Sequence, residues 1–201
     1  SLYVVGCEWD PSGNRIISAG VDGVIGVWDP SSGEKIDWIQ EHRTAVHSIH
    51  FSSDGSLLAS GSSDLSIVIW DATGKSLAKQ KKLLGHSAEV RTVAFSSDSK
   101  YLASGSSDKD LFIWKLDDYT RAGESTTFSE VDGLEWLPNT HSFITADGTG
   151  AIVRWEVNEL GSILAPFNAL LKEIESDTDH SHREELIQKY EALKAQYDPE
   201  V

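Results

Sequence analysis

Two series of aromatic residues run through this chain in step. Trp9, Phe51, Phe95 and Trp136 are separated by 42, 44 and 41 residues. Trp28, Trp70, Trp114 and Trp155 repeat the same three intervals, so every pair is 19 residues apart. Self-similarity at a period of about 40 residues marks an array of supersecondary units, each too small to bury its own apolar face and therefore stacked on its neighbours.

The residues around each anchor keep the same frame. Ahead of and including the first anchor stand Val4, Cys7, Trp9; Val46, Ile49, Phe51; Val90, Val93, Phe95; and Val131, Leu134, Trp136. Turn formers follow, such as Pro11-Ser12-Gly13 and Ser53-Asp54-Gly55. A short apolar stretch comes next, as in Leu57-Leu58-Ala59-Ser60 and Tyr101-Leu102-Ala103-Ser104. A second turn leads into Val24-Ile25-Gly26-Val27-Trp28, Ile67-Val68-Ile69-Trp70, Leu111-Phe112-Ile113-Trp114 and Ile152-Val153-Arg154-Trp155. A weaker fourth stretch, such as 35–39 or 76–81, closes each unit. Four short strands per unit, with all length variation after the second anchor, predict an all-β propeller of four-stranded antiparallel blades.

With Trp28-Asp29, Trp70-Asp71, Gly85-His86 and the paired phrases Ala59-Ser60-Gly61-Ser62-Ser63-Asp64 and Ala103-Ser104-Gly105-Ser106-Ser107-Asp108, the chain resembles the WD-repeat β-propeller family. The resemblance covers roughly residues 3–167 and implies a structural tetrad of His, Ser or Thr, Asp and Trp in each complete blade. It implies His42, Ser60, Asp64 and Trp70 in blade two, and His86, Ser104, Asp108 and Trp114 in blade three. Blade one keeps Ser18, Asp22 and Trp28, its histidine falling one position before Ser1. Blade four has Thr127, Thr145, Thr149 and Trp155, a tetrad without its His and Asp. A buried Asp needs donors, and imidazole, hydroxyl and indole N–H supply them, so these residues read as architecture. The blades are expected at about 1–40, 41–84, 85–124 and 125–167.

Propellers of the family resembled usually have seven or eight blades, so four form an arc with flat apolar faces at both ends. Either a preceding segment of the parent chain or a second copy is expected to cover them, the former being favoured for the natural protein. The absence of methionine agrees with a piece of something longer. Beyond the blades, residues 168–201 lose the strand pattern. Two helices are expected there, at about 168–175 and 182–196.

Charge narrows the partners. The 17 basic residues are outnumbered by 32 acidic ones, for a net −15, of which 168–201 carry −5. That argues against nucleic acid and anionic membranes as main partners and weakly favours basic ones. No apolar run is long enough to span a bilayer, and scarce cysteine points to the cytoplasm or nucleus.

Candidate chemical sites are few. Cys7 occupies a core slot and reads as buried and inert. His47 and His50 lie on opposite faces of a strand and cannot share a metal. Asp177, Asp179, His180 and His182 read as a solvated break between helices. Gly148-Thr149-Gly150 is a turn without the lysine of a phosphate loop. Lys79-Gln80-Lys81-Lys82 reads as charge that blocks edge pairing. No cofactor, metal or catalytic set is expected. The reading is a non-catalytic scaffold in a multiprotein complex, the alternative being a regulatory or substrate-recognition propeller in an enzyme complex. The resemblance places partner contacts at strand starts and turns, at His47, Arg91, Asp132, Ser63, Ser107 and Lys109.

Overall fold

The computed structural model describes residues 3–127, 129–158 and 161–164, together with 184, 187 and 188. Four antiparallel sheets follow one another along the chain. The first contains β1 (Val4–Trp9), β2 (Ile16–Gly20), β3 (Val24–Trp28) and β4 (Lys35–Gln40). The second contains β5 (Val46–Phe51), β6 (Leu57–Ser62), β7 (Ser66–Asp71) and β8 (Ala78–Leu84). The third contains β9 (Val90–Phe95), β10 (Tyr101–Ser106), β11 (Asp110–Lys115) and β12 (Arg121–Thr126). The fourth contains β13 (Val131–Trp136), β14 (Ser142–Asp147), β15 (Ile152–Val157) and β16 (Ile163–Leu164). Each sheet is a simple up-and-down meander, and the first strands of consecutive sheets lie next to one another. These are propeller blades. The expected division at 167/168, the two helices and the Asp177–His182 cluster fall outside the described residues, apart from Glu184, Ile187 and Gln188, which are helical and exposed.

The core lies in the seams between blades. Each blade has a leading face, turned to the blade before it, and a trailing face, turned to the blade after it. Ile17, Ala19, Ile25 and Val27 on the trailing face of blade one pack on Val46, Phe51, Leu58, Val68 and Trp70 of blade two. Ala59, Ile67 and Ile69 pack on Val90, Val93, Phe95, Leu102 and Trp114 of blade three. Ala103, Leu111 and Ile113 pack on Val131, Leu134, Trp136, Phe143 and Trp155 of blade four. The repeat therefore places an apolar residue every second position on both faces of the inner strands, as a sheet covered on two sides requires.

Each seam is also tied by polar groups. The backbone N–H of Phe51 donates to Glu8 Oε1 at 3.2 Å, that of Phe95 to His50 Nδ1 at 3.2 Å, and that of Val93 to Ser48 Oγ at 3.2 Å. Side chains of one first strand thus satisfy backbone donors on the next. At the outer turns of seam one, Arg15 is buried and reaches Asp10 (Nε to Oδ2, 2.7 Å), the Ala72 carbonyl (2.7 Å) and the Gly74 carbonyl (2.6 Å).

Cys7 corrects an expectation. It holds the register position of Ile49, Val93 and Leu134, but it is exposed. Trp9 and Val4 beside it are 58% and 60% exposed, whereas Phe51, Phe95 and Trp136, at the position of Trp9, are buried. The pattern is the same in all four blades; only blade one has no sheet against its leading face among the described residues.

Glu8 is a carboxyl in the first seam whose Oε2 is buried without a hydrogen-bond partner among the described residues. Burial raises its pKa from 4.5 to about 7, against the Phe51 N–H bond, and Glu135 adds to the rise. The folded state binds the proton more tightly than the unfolded chain, so this group's contribution is complete below about pH 4.5 and is lost as pH rises to about 7. Glu8→Gln is expected to gain stability over the parent as pH rises from about 5 to about 8. Urea midpoints for both proteins at the two pH values test this; a constant difference refutes it.

Candidate functional site

In each sheet the first strand bulges one residue after it begins. The ladder skips Val5 between Val4 and Gly6, and His47 between Val46 and Ser48. It likewise skips Arg91 between Val90 and Thr92, and Asp132 between Val131 and Gly133. A bulge leaves one residue unpaired and re-aims its side chain. Strand order puts all four bulges at the end of the blades that also carries the turns from second to third strand. One rim therefore collects Val5, His47, Arg91 and Asp132 with Ser63, Ser107 and Lys109.

The rim side chains meet across blades. His47 Nε2 lies 2.6 Å from Ser63 Oγ and 3.6 Å from Glu89 Oε2. Arg91 Nε is 2.7 Å from Asp132 Oδ1, and its Nη1 is 3.5 Å from Glu130 Oε2. Ser107 Oγ is 3.5 Å from the same Glu130 oxygen. Lys109 takes a different part: its backbone is left-handed, with φ 73°, and its carbonyl accepts from the N–H and hydroxyl of Thr127, each at 2.8 Å. Glu89 and Glu130 were not foreseen from the sequence. Both sit one residue before a first strand, and only the bulge behind them turns the neighbouring side chain their way.

Beneath the rim lie the residues of the tetrads. His42 Nε2 bonds Ser60 Oγ at 2.7 Å, His42 Nδ1 faces Asp64 Oδ2 at 3.2 Å, and Trp70 Nε1 donates to Ser60 at 2.9 Å. In blade three His86 Nε2 bonds Ser104 at 2.9 Å, His86 Nδ1 faces Asp108 Oδ2 at 3.1 Å, and Trp114 Nε1 donates to Ser104 at 2.9 Å. The Arg43 N–H and the Ser66 hydroxyl also donate to Asp64, as do the backbone N–H groups of Ser87 and Asp110 to Asp108. His86 further stacks on Phe112 at 4.2 Å between ring centres.

The other two blades keep only part of this. Trp28 Nε1 donates to Ser18 Oγ at 2.8 Å, and Asp22 Oδ1 accepts from the Val24 N–H at 3.3 Å. Trp155 Nε1 donates to Thr145 Oγ1 at 2.9 Å. Thr127 spends its hydroxyl on the Lys109 and Ser129 carbonyls, and Thr149 donates to Asp147. At the turn position occupied by Gly23 and Gly150, blades two and three place Leu65 and Lys109 with φ of 68° and 73°. Left-handed backbone at a residue with Cβ costs on the order of 1–3 kcal/mol and persists only where surrounding bonds hold it. The two blades with all four tetrad residues are the two that carry it.

The electrostatics follow from burial. Burial lowers the pKa of His42 and His86, outweighing the attraction of Asp64 and Asp108, so both imidazoles are held neutral. Burial pushes the Asp64 carboxyl up, but bonds from Ser66, the Arg43 N–H and His42 prevail and hold it at about 2. Asp108 is lowered by the same competition.

None of this forms a catalytic array. Ser63 has a base in His47, but Glu89 approaches the same Nε2 rather than Nδ1, which is not a nucleophile–base–orienter geometry. His50 points into a seam, away from His47. Among the described residues no group of three His, Cys, Asp or Glu side chains is placed to hold a metal ion. The lysine run is spent within the fold: Lys79 on Glu41 at 2.6 Å, Lys82 on Asp64 at 3.5 Å and Lys81 over the Tyr119 ring.

Four-stranded blades pinned by His–Ser–Asp–Trp networks define a repeat propeller. The profile of the family described as "WD domain, G-beta repeat" matches residues 1–29, 33–71 and 77–115. The chain belongs to this family, known by its WD40 repeats. It is 33% identical over 79 residues to "WD repeat-containing protein 1" of Xenopus tropicalis, covering 38% of this chain and 13% of that protein. It is 42% identical over 69 residues to "U5 small nuclear ribonucleoprotein 40 kDa protein" of Dictyostelium discoideum, covering 34% of this chain and 19% of that one. Among solved structures, "Structure of U3-55K" superposes with a TM-score of 0.73 at 27% identity, covering 80% of this chain and 50% of that chain. A chain in "Crystal Structure of Mitotic Checkpoint Complex" follows with a TM-score of 0.71 at 25% identity, covering 80% and 52%. The matched region is thus a small part of those curated relatives and about half of those solved chains.

Proposed function

We propose that the chain is a non-catalytic interaction scaffold whose rim takes a basic segment of a protein partner, as a subunit of a multiprotein complex inside the cell. One observation carries the reading: in every blade a bulge turns one first-strand side chain to the same rim. There His47, Arg91, Asp132, Ser63, Ser107 and Lys109 gather with Glu89 and Glu130. Three carboxylates stand with the Arg91 guanidinium, the Lys109 ammonium and one imidazole, an acidic balance that favours incoming cations in a chain of net −15. The relatives' names, a small nuclear ribonucleoprotein component and a checkpoint complex among them, support membership of an assembly. In this reading the four blades belong to a larger ring, and the tetrads keep the rim in shape.

Arg91 is the internal competitor of such a partner, because it already occupies Asp132 and Glu130. Arg91→Ala is expected to tighten binding of lysine- and arginine-rich peptides several-fold at low salt. Glu130→Lys with Asp132→Lys is expected to weaken it by about tenfold or more, since like charges across an interface cost several kcal/mol. Fluorescence anisotropy with matched basic and acidic peptides reads this. Equal binding of both peptide classes, unmoved by either variant, defeats the proposal.

A further inference from the structure

The rim changes character from blade to blade. The first residue after the second strand is Val21, Ser63, Ser107 and Gly148 in turn. The left-handed turn position holds Gly23, Leu65, Lys109 and Gly150. The last residue of the fourth strand in blades one to three is Gln40, Leu84 and Thr126, opposite Val24, Ser66 and Asp110. Blades one and two thus put Val21, Leu65 and Leu84 where blade three puts Ser107, Lys109 and Thr126. The three apolar side chains are 37%, 40% and 69% exposed. Away from the two end faces, the exposed large apolar side chains of the blades all lie at this end among the described residues. Leu65 stands there against its own preference. Its φ of 68° is the region that a bulky side chain tolerates least and that glycine occupies in blades one and four. The carboxylates lie further along the same rim, Glu89 over the second seam and Glu130 and Asp132 over the third.

We infer that the protein segment bound by the rim carries an apolar anchor to one side of its basic residues. The anchor lies on Leu65 and Leu84 of blade two, with Val21 of blade one on the same rim, and the cations face Glu89, Glu130 and Asp132. This rests on the basic-partner reading of the rim and adds a polarity to that partner. Charge decides which end goes where. Beside Leu65, Asp64 already holds the Lys82 ammonium at 3.5 Å and the Arg43 N–H at 3.1 Å. Glu41 is taken by Lys79 at 2.6 Å. A cation of the partner would meet Lys82 and Arg43 here, whereas an apolar side chain takes the leucines out of water. Glu89 and Glu130 keep about half of their side-chain surface exposed, at 46% and 53%. An apolar anchor flanked by complementary charge is the arrangement that concentrates binding energy in a few residues. Lys109 at the position of Leu65 denies the anchor a second place on blade three. Facing sheets lie about 10 Å apart and an extended chain advances about 3.3 Å per residue. The carboxylate of the second seam is therefore roughly three residues from the anchor, and those of the third seam roughly six.

The probe is a labelled peptide with Leu-Phe at one end and arginines three and six residues beyond the Phe, made in both sequence directions. Its counterpart has Ser-Ser in place of Leu-Phe. By fluorescence anisotropy the apolar peptide, in one of the two directions, is expected to bind about tenfold tighter than the Ser-Ser peptide. Leu65→Gly installs the residue of blades one and four, and Leu84→Thr that of blade three. Both variants are expected to fold, Leu65→Gly with a thermal midpoint at or above the parent's, since glycine suits the left-handed backbone. Each is expected to weaken the apolar peptide about fivefold and to leave the Ser-Ser peptide unchanged. Leucine variants that bind both peptides as the parent does, while Glu130→Lys with Asp132→Lys loses both, refute the anchor and leave the basic rim standing. Leucine variants that lose both peptides alike also refute it, because the leucines then only shape the rim. A parent chain that binds neither peptide overturns the rim reading and the anchor with it.

Discussion

Arg15→Ala is expected to lower stability by about 3 kcal/mol, because removing one member of a buried ion pair leaves the other charge unpaired in the interior. The bonds at stake are its Nε to Asp10 and its two terminal nitrogens to the Ala72 and Gly74 carbonyls of the next blade. Asp10 is buried with it, and the carboxyl is worth its ionised form only while those donors are present. Burial pushes Asp10 up, but the Ser12 N–H, Arg15 and the Ser12 side chain outweigh it and hold the pKa below the usual range. Its contribution is therefore complete above the usual carboxylate range and is lost as pH falls through the lowered value. Arg15→Met keeps the stem but not the fork and is expected to lose nearly as much. A double-mutant cycle with Asp10→Ala reads the coupling. Additive losses from the two sites refute the clamp.

Asp108→Ala is expected to cost about 2 kcal/mol, since it strips a partner from the buried His86 and from the backbone N–H groups of Ser87 and Asp110. Asp64→Ala is expected to cost about as much for the same reason in blade two. The pH dependence has a sign that can be worked out. His42 and His86 have lowered folded pKa values, so their contribution is present above the ordinary histidine range and is lost as pH falls through it. Asp64 and Asp108 are also lowered, so theirs is lost further down, towards about 2 for Asp64. The array should weaken in two acid steps, while Glu8 runs the opposite way at higher pH. Thermal midpoints from pH 8 to pH 3 in the parent, Asp108→Ala and Asp108→Asn report this. Unchanged midpoints in both variants at pH 7 would remove the tetrad from the stability of blade three.

Much of the architecture could be read from spacing alone. The 19-residue interval between the two aromatic anchors is the path from the end of a first strand, through a second, to the end of a third, and the structure has Trp9 and Trp28 at those places. The residues that meet around Ser60 and Ser104 are also separated by fixed intervals within one repeat, so a local pattern could place them. The rim was legible only in part. His47 and Arg91 could be put near strand starts, but their partners Glu89, Glu130 and Asp132 belong to the following blade.

The amino-acid sequence by itself determined the number of blades, the alternation that makes both faces of each inner strand apolar, and which blades hold a complete tetrad. Those properties repeat every 41 to 44 residues and rest on strand and turn preferences that act over a few positions. Tertiary structure alone decided which side chains pair across a seam, where the bulges aim His47, Arg91 and Asp132, and that Arg15 clamps two carbonyls of the next blade. It also decided that Cys7 and Trp9 are exposed while Val93 and Phe95, in the same register, are buried. Burial is a property of what lies against a face, and a repeat pattern states the face without stating its neighbour.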